Sequence, residues 1–483
     1  MMPIVAEVCV IGSGPAGAAI SQRLKLLRHD VVLIDACSHR RRPTVESVSP
    51  GILHFLDMLN MPAALDTCAA VCHEPLVFWR DSAPSELPQS APAGYLLDRA
   101  RFDAALTQGA RAAGVRLIEQ RVDAMPERLS AGAWRVQVLT AQGAQEVHAR
   151  LLIVATGRKT LLRSRRRRMA PPLMALQSRW LPARRAQPRI SVEALRDGWV
   201  WGAPHPDGSY CAAAFMDPQH IRRPGRPGID DVYLQFLSGS TLFKDLLGGA
   251  RLEQVWACDA SAYLADDVIQ SDLMLVGDSA ISMEPLSAQG VQVAMKLGCQ
   301  GAAVVHTMLT DEGSSAVAQS FYRRQCQGIA ARHQQALREF YSEPRRFECE
   351  PFWKKRAIRS SDRAPRDLQS SQIRESTRLR LSPNARLQET PCLVGDRIDL
   401  QLALEHPSLD GPMSHLGRMS IAALLHGAEK AQSAGSFCRG WAATGLAERP
   451  IQVLNWLIQH GILTQVDESD PCSRYSGKAG APL

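Results

Sequence analysis

Hydrophobic residues near the start of the chain form two uninterrupted runs, at residues 8–11 and 31–34, with a helical pattern between them at residues 18–27. A short unbroken apolar run predicts a strand that is buried on both faces. Apolar residues that recur every three to four positions predict an amphipathic helix. The order strand, helix, strand therefore predicts the first βαβ unit of a parallel sheet and an α/β (α+β) fold.

A glycine-rich turn joins the first predicted strand to the helix. It reads Gly12-Ser13-Gly14-Pro15-Ala16-Gly17. In such a turn Gly12 permits the tight bend, Gly14 lets a pyrophosphate approach the backbone, and Gly17 lets the helix pack on the sheet. Asp35 closes the second strand 18 positions after Gly17, where an acid suits a ribose hydroxyl. The free N–H groups at the start of the helix attract phosphate, so this register predicts a dinucleotide-binding site.

A second set of motifs lies later in the chain. An apolar strand pattern at residues 273–276 ends in Gly277-Asp278, and an apolar helix pattern follows at residues 291–309. The loop between them reads Glu284-Pro285-Leu286-Ser287-Ala288-Gln289-Gly290. Smaller motifs are Glu46-Ser47-x-x-Pro50, Asp98-Arg99-x-x-Phe102-Asp103, Ala155-Thr156-Gly157 and Asp259-Ala260-Ser261. Taken together, residues 4–341 resemble the flavoprotein monooxygenases and the flavin-dependent halogenases.

This resemblance implies a Rossmann-like FAD-binding domain of the glutathione-reductase/hydroxylase type, with an inserted β-sheet substrate domain. It implies that Asp278 binds the ribityl chain of FAD and that the loop from Pro285 to Gly290 lies at the isoalloxazine ring. Reduced flavin and O2 would form a C4a-hydroperoxide, which transfers oxygen to an electron-rich aromatic carbon. The candidate catalytic residues are Glu284, Pro285 and Glu46. The further cofactor-binding residues are Arg99, Gly277, Ala288, Gln289 and Val291.

The chain departs in one respect from the tryptophan halogenases of this superfamily. Those enzymes use a lysine, located after the Glu-Ser segment, to pass hypohalous acid to the indole. No lysine occurs between Leu26 and Arg158. Arginine is no substitute, because its guanidinium group stays charged. We therefore predict hydroxylation and not halogenation.

Two candidate sites keep more than one interpretation. Trp199 and Trp201 stand in a segment, Gly198-Trp199-Val200-Trp201-Gly202-Ala203-Pro204, that resembles the Trp-x-Trp-x-Ile-Pro segment of halogenases, which is thought to discourage direct monooxygenation. They and His205 are candidate substrate contacts, but the alternation equally fits two side chains on one face of a strand. Glu284 is either a general base for an indole N–H or ring proton, or a cap of the following helix.

The segment Pro-Leu-Ser-x-Gln-Gly, from Pro285 to Gly290, resembles that of flavoproteins that mature tryptophylquinone enzymes, such as the monooxygenase for quinohaemoprotein amine dehydrogenase. This resemblance implies hydroxylation of a tryptophan in a protein or peptide substrate, with other maturation enzymes as further partners. Two alternatives stay open. One is a small-molecule hydroxylase, halogenase or lipid reductase, and the other is a non-catalytic flavoprotein with a partner-binding module.

The number of dinucleotide-binding motifs in the sequence indicates how the flavin is reduced. The sequence contains a single dinucleotide fingerprint, whereas reductases that bind both FAD and NAD(P)H in dedicated domains carry two. We therefore expect NAD(P)H to dock transiently, or a separate reductase to supply the reducing equivalents.

Basic residues suggest a further partner. The formal net charge is +8, five arginines lie between Arg163 and Arg168, and a second basic stretch covers residues 345–386. Such runs are typical of solvated loops, or of a docking surface for an acidic protein. Nucleic acid is not expected, because the arginines of the first run are not interleaved with aromatic residues.

Cysteine usage and hydropathy give expectations about compartment. The 12 cysteines are scattered, and the one cluster, Cys68-x-x-x-Cys72-His73, has no second pair at zinc spacing. We predict reduced thiols in a helix core, no metal site and a cytoplasmic protein. No run of 18 apolar residues predicts a membrane span, and a strand at the start of the chain leaves no room for a signal peptide.

The same patterns predict how the chain is divided. Three predicted helices near the end, at residues 419–430, 437–446 and 451–459, are followed by a strand at 462–466 and resemble a winged-helix unit. The predicted divisions are a first FAD-binding part at 1–165 with a small insertion at about 66–94, a substrate-domain sheet at 166–255, a second FAD-binding part with a long helix at 256–341, a basic connector at 342–391, the winged-helix-like module at 392–470, and a tail at 471–483.

Overall fold

The computed structural model of the chain describes residues 2–36, 44–80, 94–130, 132–140, 143–159, 161, 165–181, 189–221, 228–357, 374–409 and 411–466. The chain forms two compact units, Met1–Asp362 and Arg363–Leu483. Among the described residues, no helix is both long and apolar enough to cross a membrane.

The first unit combines helices with several sheets. Its strands are β1 Ile4–Ile11, β2 Val31–Ile34, β3 Val45–Val48, β4 Ala69–Val71, β5 His73–Phe78, β6 Tyr95–Asp98, β7 Arg116–Ile118, β8 Glu127–Arg128, β9 Trp134–Thr140, β10 Gly143–Val154, β11 Arg166–Arg168, β12 Met174–Leu181, β13 Arg189–Leu195, β14 Gly198–Pro204, β15 Tyr210–Met216, β16 Arg251–Asp259, β17 Tyr263–Ala265, β18 Leu273–Leu275 and β19 Ile281–Ser282. Its α-helices are α1 Pro15–Leu26, α2 Ile52–Met58, α3 Arg99–Ala112, α4 Ile229–Leu237, α5 Leu242–Leu246, α6 Gly290–Thr310, α7 Ser315–Tyr341 and α8 Pro351–Lys354. Short 3-10 helices cover Pro62–Leu65, Pro218–His220, Gly277–Ser279, Pro285–Ser287, Glu312–Ser314 and Arg345–Phe347.

A mostly parallel sheet forms the base of this unit. Its parallel strands lie in the order β7, β2, β1, β10, β18. The long strand β10 pairs antiparallel with β9 along its first half and parallel with β18 at Leu152–Val154. The carboxyl ends of β1, β10 and β18 therefore meet at one edge, which is where ligands bind in open α/β sheets. This arrangement confirms the predicted α/β fold.

A second sheet has the strand order β16, β12, β15, β14, β13, β5. All of its neighbouring strands are antiparallel except β13 and β5. Val200, Ala214 and other side chains on one face pack in a core cluster with Tyr233 of α4 and Phe243 of α5. The last strand, β16, continues to Asp259, so the predicted boundary at residue 255 falls inside a strand.

The predicted basic connector at residues 342–391 was wrong at both ends. Phe352 and Trp353 of α8 are buried, and the Trp353 indole N–H donates to the carbonyl oxygen of Leu195 at 2.9 Å. Strand β20 at Arg378–Leu381 and the whole of β21 at Arg386–Val394 belong to the second unit. The prediction rested on local composition. A basic segment that is anchored by a few buried aromatic side chains has nearly the same composition as a basic loop in solvent. Residues 358–373 lie outside the described part.

The second unit is built from short elements. Its strands are β20 Arg378–Leu381, β21 Arg386–Val394, β22 Arg397–Glu405, β23 His415–Leu416, β24 Met419–Ser420, β25 Gln432–Ser433 and β26 Leu463–Gln465, and its helices are α9 Ile421–Leu424, α10 Ala434–Ala443 and α11 Pro450–Gln459. The helix predicted at 419–430 is a single turn, so that prediction was wrong in length. The two later helices and the final strand follow the predicted positions closely. The winged-helix resemblance stays a prediction, and the tail at 471–483 lies outside the described residues.

The cysteine cluster is not helical. Cys68 follows a 3-10 helix and donates its S–H to the carbonyl oxygen of Ala64 at 2.9 Å, while Cys72 lies between β4 and β5. Both thiols are buried, and burial raises the pKa of Cys68 to about 11. These are inert core thiols, but the predicted helix around them was wrong, because two short strands replace it. Among the described residues, no three His, Cys, Asp or Glu side chains come together as metal ligands.

Candidate functional site

A cavity of about 1150 Å³ lies in the first unit. One side is formed by the glycine-rich turn after β1, the end of β10 and the loop that leads into α6. The other side is a face of the six-stranded sheet, which contributes Trp199 and Trp201. The cavity therefore connects the predicted dinucleotide site to the predicted substrate sheet.

Glycine is required at two positions of the turn. Gly12 has a φ of +102°, and a Cβ atom there would lie 2.5 Å from the carbonyl oxygen of Ala155. A Cβ on Gly17 would lie 1.8 Å from the carbonyl oxygen of Gly12. Gly12 lines the cavity, whereas Gly17 lies behind the turn and lets α1 approach it. Both observations agree with the steric roles that the motif predicts.

Two uncapped helix N-termini face the cavity. Helix α1 begins at Pro15 with no side-chain cap and no acidic residue in its first turn. Helix α6 begins at Gly290, also without a side-chain cap, after Ala288 in the left-handed conformation at a φ of +50°. Open N–H groups and the positive end of the helix dipole favour negatively charged or carbonyl oxygen atoms of a ligand.

Carboxylates flank these helix ends. Asp35 lines the cavity and accepts the backbone N–H of Ser13 at 3.1 Å, so it is held against the glycine turn. Asp278 follows β18 and lies 3.6 Å from the Nε atom of Arg158. The Arg158 guanidinium also donates to the carbonyl oxygens of Ser261 and Met283. Arg158 thus links three loops at the cavity wall.

The candidates Arg99 and Glu46 form an ion pair at the cavity. The Arg99 guanidinium donates to Glu46 and contacts Asp103 at 3.2 Å. Burial alone would lower the pKa of Arg99, but the Glu46 and Asp103 carboxylates raise it, so the cation is held firmly. Because the positive charge of Arg99 balances the negative charge of Glu46, Glu46 fits a cofactor-positioning contact better than a proton-transfer role.

The cavity fits FAD on these observations. It offers a glycine turn in which Gly12 and Gly17 leave no space for a Cβ atom, and two helix N-termini without side-chain caps. It also offers carboxylates that suit the ribose and ribityl hydroxyl groups. Fifteen of the predicted residues line it: Gly12, Gly14, Pro15, Ala16, Asp35, Glu46, Arg99, Trp199, Trp201, Asp278, Glu284, Pro285, Ala288, Gly290 and Val291. Gln289 directly precedes α6 and does not line the cavity. Gly17 and Gly277 support the surrounding backbone, and Gly277 has a φ of +62°.

Glu284 has a different environment from the one that a helix cap would have. Its carboxylate makes no cap to the following 3-10 helix and instead accepts the phenolic O–H of Tyr341. The side chain is fully buried in the cavity wall, and its second oxygen, Oε2, has no hydrogen-bond partner among the described residues. The capping interpretation was therefore wrong, because α7 brings Tyr341 to this carboxylate.

The protonation of this cluster follows from burial. Burial raises the pKa of Glu284 to about 7, although the hydrogen bond from Tyr341 and the charges of Arg356 and Arg158 oppose the shift. Burial also lowers the pKa of His333 to about 4, so its neutral Nε2 accepts the backbone N–H of Glu284 at 2.9 Å. A carboxyl group poised near neutral pH suits general acid–base chemistry.

Trp199 and Trp201 lie on the same face of β14. Trp199 is 1% exposed, stacks on Phe215 with ring centroids 3.8 Å apart, and donates its N–H to Tyr341 at 3.2 Å. Trp201 is half-buried and borders the cavity. The strand interpretation is thus confirmed, and Trp201 is the indole with surface left for a ligand.

His205 is not brought to the cavity. Its Nδ1 lies 2.9 Å from Asp207 and its Nε2 lies 3.6 Å from Asp98, which caps the N-terminus of α3. The prediction of a substrate contact at His205 is therefore not supported. Proximity to Trp201 in sequence was misleading, because the chain turns away after β14.

Sequence reasoning missed several residues of the site, among them Arg158, Lys159 and Tyr341. Arg158 and Lys159 directly follow the Ala-Thr-Gly motif, and both line the cavity. Their position beyond that motif was a signal that could have been used. Tyr341 lies 57 residues from Glu284, and no local pattern joins the two.

The arginine run is partly structural. Arg166–Arg168 form strand β11, which pairs with β17, so this part is not a loop. The Arg166 guanidinium lies 4.3 Å from the centre of the Tyr263 ring, whereas Arg165, Arg167 and Arg168 are exposed. Arg163 lies outside the described residues. In the second basic stretch, Arg356 is buried and paired with Asp217 at 2.8 Å.

Comparison with known proteins places the chain among flavoproteins. The tryptophan halogenase family model matches residues 80–380. A tryptophan 2-halogenase of Chondromyces crocatus is 26% identical, over 73% of this chain and 70% of that protein. The putative FAD-dependent oxidoreductase LodB of Marinomonas mediterranea is 27% identical, over 72% of this chain and 96% of that protein.

Two solved structures resemble almost the whole chain. One is QhpG, a peptidyl tryptophan dihydroxylase essential for tryptophylquinone cofactor biogenesis, with a TM-score of 0.74, 26% identity, and coverage of 94% of this chain and 99% of that one. The other is CmlS, a flavin-dependent halogenase, with a TM-score of 0.76, 21% identity, and coverage of 97% of both chains. The second likeness concerns the fold alone.

Proposed function

Because the chain belongs to the tryptophan halogenase family and is an FAD-dependent oxidoreductase, we propose that it hydroxylates the indole ring of a tryptophan residue in a protein, during maturation of a tryptophylquinone cofactor. Family membership sets aside the hypothesis of a non-catalytic flavoprotein. The observation that most supports this proposal is that Glu284 is a buried carboxyl group in the cavity wall with a pKa of about 7.

The residues of the chain divide the work between binding and proton transfer. When bound, FAD supplies the redox chemistry, since its reduced form activates O2 for transfer of one oxygen atom to an electron-rich ring carbon. Asp35 and Asp278 would hold its hydroxyl groups, and the N-termini of α1 and α6 would bind its negatively charged or carbonyl oxygen atoms. The Arg99–Glu46 pair would position the cofactor beside them.

Glu284 takes up the proton that leaves the substrate. Its Oε2 atom lacks a partner among the described residues, while Oε1 is held by Tyr341. The ionised carboxylate accepts the indole N–H or ring proton as the carbon–oxygen bond forms. The apolar sheet face opposite, with Trp199 and Phe215, keeps water away from the reacting atoms.

The protein-substrate proposal is supported by likeness and by charge. QhpG matches both units of the chain at 26% identity, and the exposed Arg165, Arg167 and Arg168 suit an acidic partner. Reducing equivalents come from NAD(P)H in transient contact or from a separate reductase. Other maturation enzymes would be further partners of the same process.

The enzyme is expected to hydroxylate and not to halogenate. The assay supplies reduced FAD, O2 and bromide with free tryptophan, N-acetyl-tryptophanamide or an acidic peptide that carries one tryptophan. Mass spectrometry should then show the addition of one or two oxygen atoms. Controls without O2 should give no product, and incorporation of ¹⁸O from ¹⁸O2 identifies the source of the oxygen.

A second candidate, halogenation, is favoured by one observation. Lys159 is exposed at the cavity, although it lies just beyond the lysine-free region. A bromine isotope pattern in the product would contradict the hydroxylase proposal. If that pattern is lost in Lys159→Met, the amine of Lys159 performs the transfer that halogenases assign to their lysine.

Docking of an acidic substrate is expected to depend on the exposed arginines. Replacing Arg165, Arg167 and Arg168 with serine should weaken binding of the acidic tryptophan peptide by about 2- to 10-fold at low salt. The matched control, Arg150, Arg251 and Arg338 to serine, changes net charge equally at other exposed positions. Titration at two salt concentrations checks this, because a screened interaction weakens with salt. Equal affinity of both variants would contradict a docking role for this arginine cluster.

A further inference from the structure

The cavity face of the six-stranded sheet contains a row of four residues with contrasting sizes. Trp201 lies directly opposite Ala213, Ala213 opposite Gln177, and Gln177 opposite Trp256. Directly opposed residues project from the same face of a sheet. All four line the cavity. Neighbouring strands are about 4.8 Å apart, so the methyl group of Ala213 forms the floor of a notch about 10 Å wide between Trp201 and Gln177.

The adjacent row closes one end of this notch. It contains Trp199, Phe215, Ala175 and Cys258 in the same cross-strand order. Trp199 and Phe215 are stacked with an interplanar angle of 13°, and both are buried. The row leaves no room for a ligand between these two rings. A planar ring that enters the cavity therefore finds its open space over Ala213, against the half-buried indole of Trp201.

The orientation of the Gln177 amide is set by its neighbour. The Nε1 atom of Trp256 lies 2.8 Å from Oε1 of Gln177. An indole N–H can only donate, so the oxygen of the amide, and not its nitrogen, must face Trp256. The amide nitrogen of Gln177 is left with two N–H donors and no hydrogen-bond partner among the described residues. The notch thus combines an aromatic wall with an oriented donor.

We propose that Trp201, Ala213 and Gln177 form the substrate-recognition slot, which stacks a planar aromatic ring on Trp201 and donates from Gln177 to an oxygen atom carried by the same molecule. This inference rests on the proposed function for its reaction, but not for its binding chemistry. For a tryptophan residue in a protein, the oxygen is a backbone carbonyl next to the indole. Gln177 is a positioning residue, because it touches the substrate away from the carbon that reacts.

The slot predicts how two simple probes differ. Indole provides the ring alone, whereas N-acetyl-tryptophanamide provides the ring and carbonyl acceptors. Gln177→Leu removes the donor, and Gln177→Glu keeps the acceptor for the Trp256 N–H while also removing the donor. Either change should weaken N-acetyl-tryptophanamide binding about 2- to 12-fold, as expected for one net hydrogen bond, and leave indole binding unchanged. Ala213→Leu should fill the notch and weaken both probes.

The experiment is equilibrium dialysis of both probes with the FAD-loaded protein and these three variants. FAD content and the flavin absorption spectrum verify that each variant is folded. The proposal is overturned if the two Gln177 variants lower the affinity for both probes equally, or for neither. Since dialysis involves no turnover, the expected binding pattern without any hydroxylated product would retain the slot and reject the proposed function. Hydroxylated product without the expected binding pattern would retain the proposed function and reject the slot.

Discussion

Replacing Glu284 with glutamine is expected to lower the rate of aromatic hydroxylation by about 10²- to 10⁴-fold, the range for loss of a general base. Glutamine keeps the shape of the side chain and still accepts the hydrogen bond from Tyr341, but it cannot take up a proton. FAD binding should persist, because the cofactor-binding residues are untouched. Single-turnover measurements with N-acetyl-tryptophanamide and prereduced enzyme separate this step from reduction.

The pH dependence of the hydroxylation rate tests the role of Glu284 independently. The pKa of Glu284 is raised from 4.5 to about 7, so the carboxylate becomes the main form only above neutral pH. The wild-type rate should therefore rise through about pH 7 and then level off, and this inflection should be absent in Glu284→Gln. Tyr341→Phe removes a hydrogen bond that lowers the pKa of Glu284, so its inflection should move to higher pH.

Glu339→Gln is the matched control, since Glu339 lies exposed on the same helix as Tyr341. It should retain both the wild-type rate and the wild-type inflection. A Glu284→Gln variant with the wild-type rate and profile would show that another group removes the proton. Loss of rate in both variants would point to a general change in α7.

Replacing Asp278 with alanine is expected to weaken FAD binding by about 10- to 150-fold, which corresponds to a charge-assisted hydrogen bond of roughly 1.5–3 kcal/mol. The reason is that Asp278 lies at the cavity in the 3-10 helix after β18, where its carboxylate would accept a hydrogen bond from a hydroxyl group of the ribityl chain. Fluorescence titration of the apoprotein with FAD measures the dissociation constant. Asp266→Ala, at an exposed position outside the cavity lining, is the matched control.

Two outcomes separate the possible roles of this carboxylate. A weaker FAD complex with an unchanged melting temperature of the apoprotein supports direct cofactor binding. An unchanged dissociation constant would reject the role of Asp278 and leave its pair with Arg158, at 3.6 Å, as a structural contact.

Local sequence patterns determined much of the cofactor side of the cavity. Gly12 is required by its own φ of +102°, and Gly17 by the nearby carbonyl oxygen of Gly12. An unbroken apolar run of four residues such as Val31–Ile34 has few alternatives to a buried strand. The loop from Pro285 to Ser287 and the start of α6 follow from the same kind of short-range rule. These features depend on backbone geometry between close neighbours, so they were readable from the sequence.

Long-range packing decided the rest. The contact of Glu284 with Tyr341, the diversion of His205 to Asp98, and the row from Trp201 to Trp256 each join residues from distant elements. Strand register and helix placement bring these side chains together, and a pKa near 7 arises only when burial removes water from a carboxylate. The sequence by itself thus determined the family, the α/β fold and the glycine turn. Only the tertiary structure decided which carboxylate is poised to react and which face of the sheet meets it, because burial and cross-strand neighbours are not local properties.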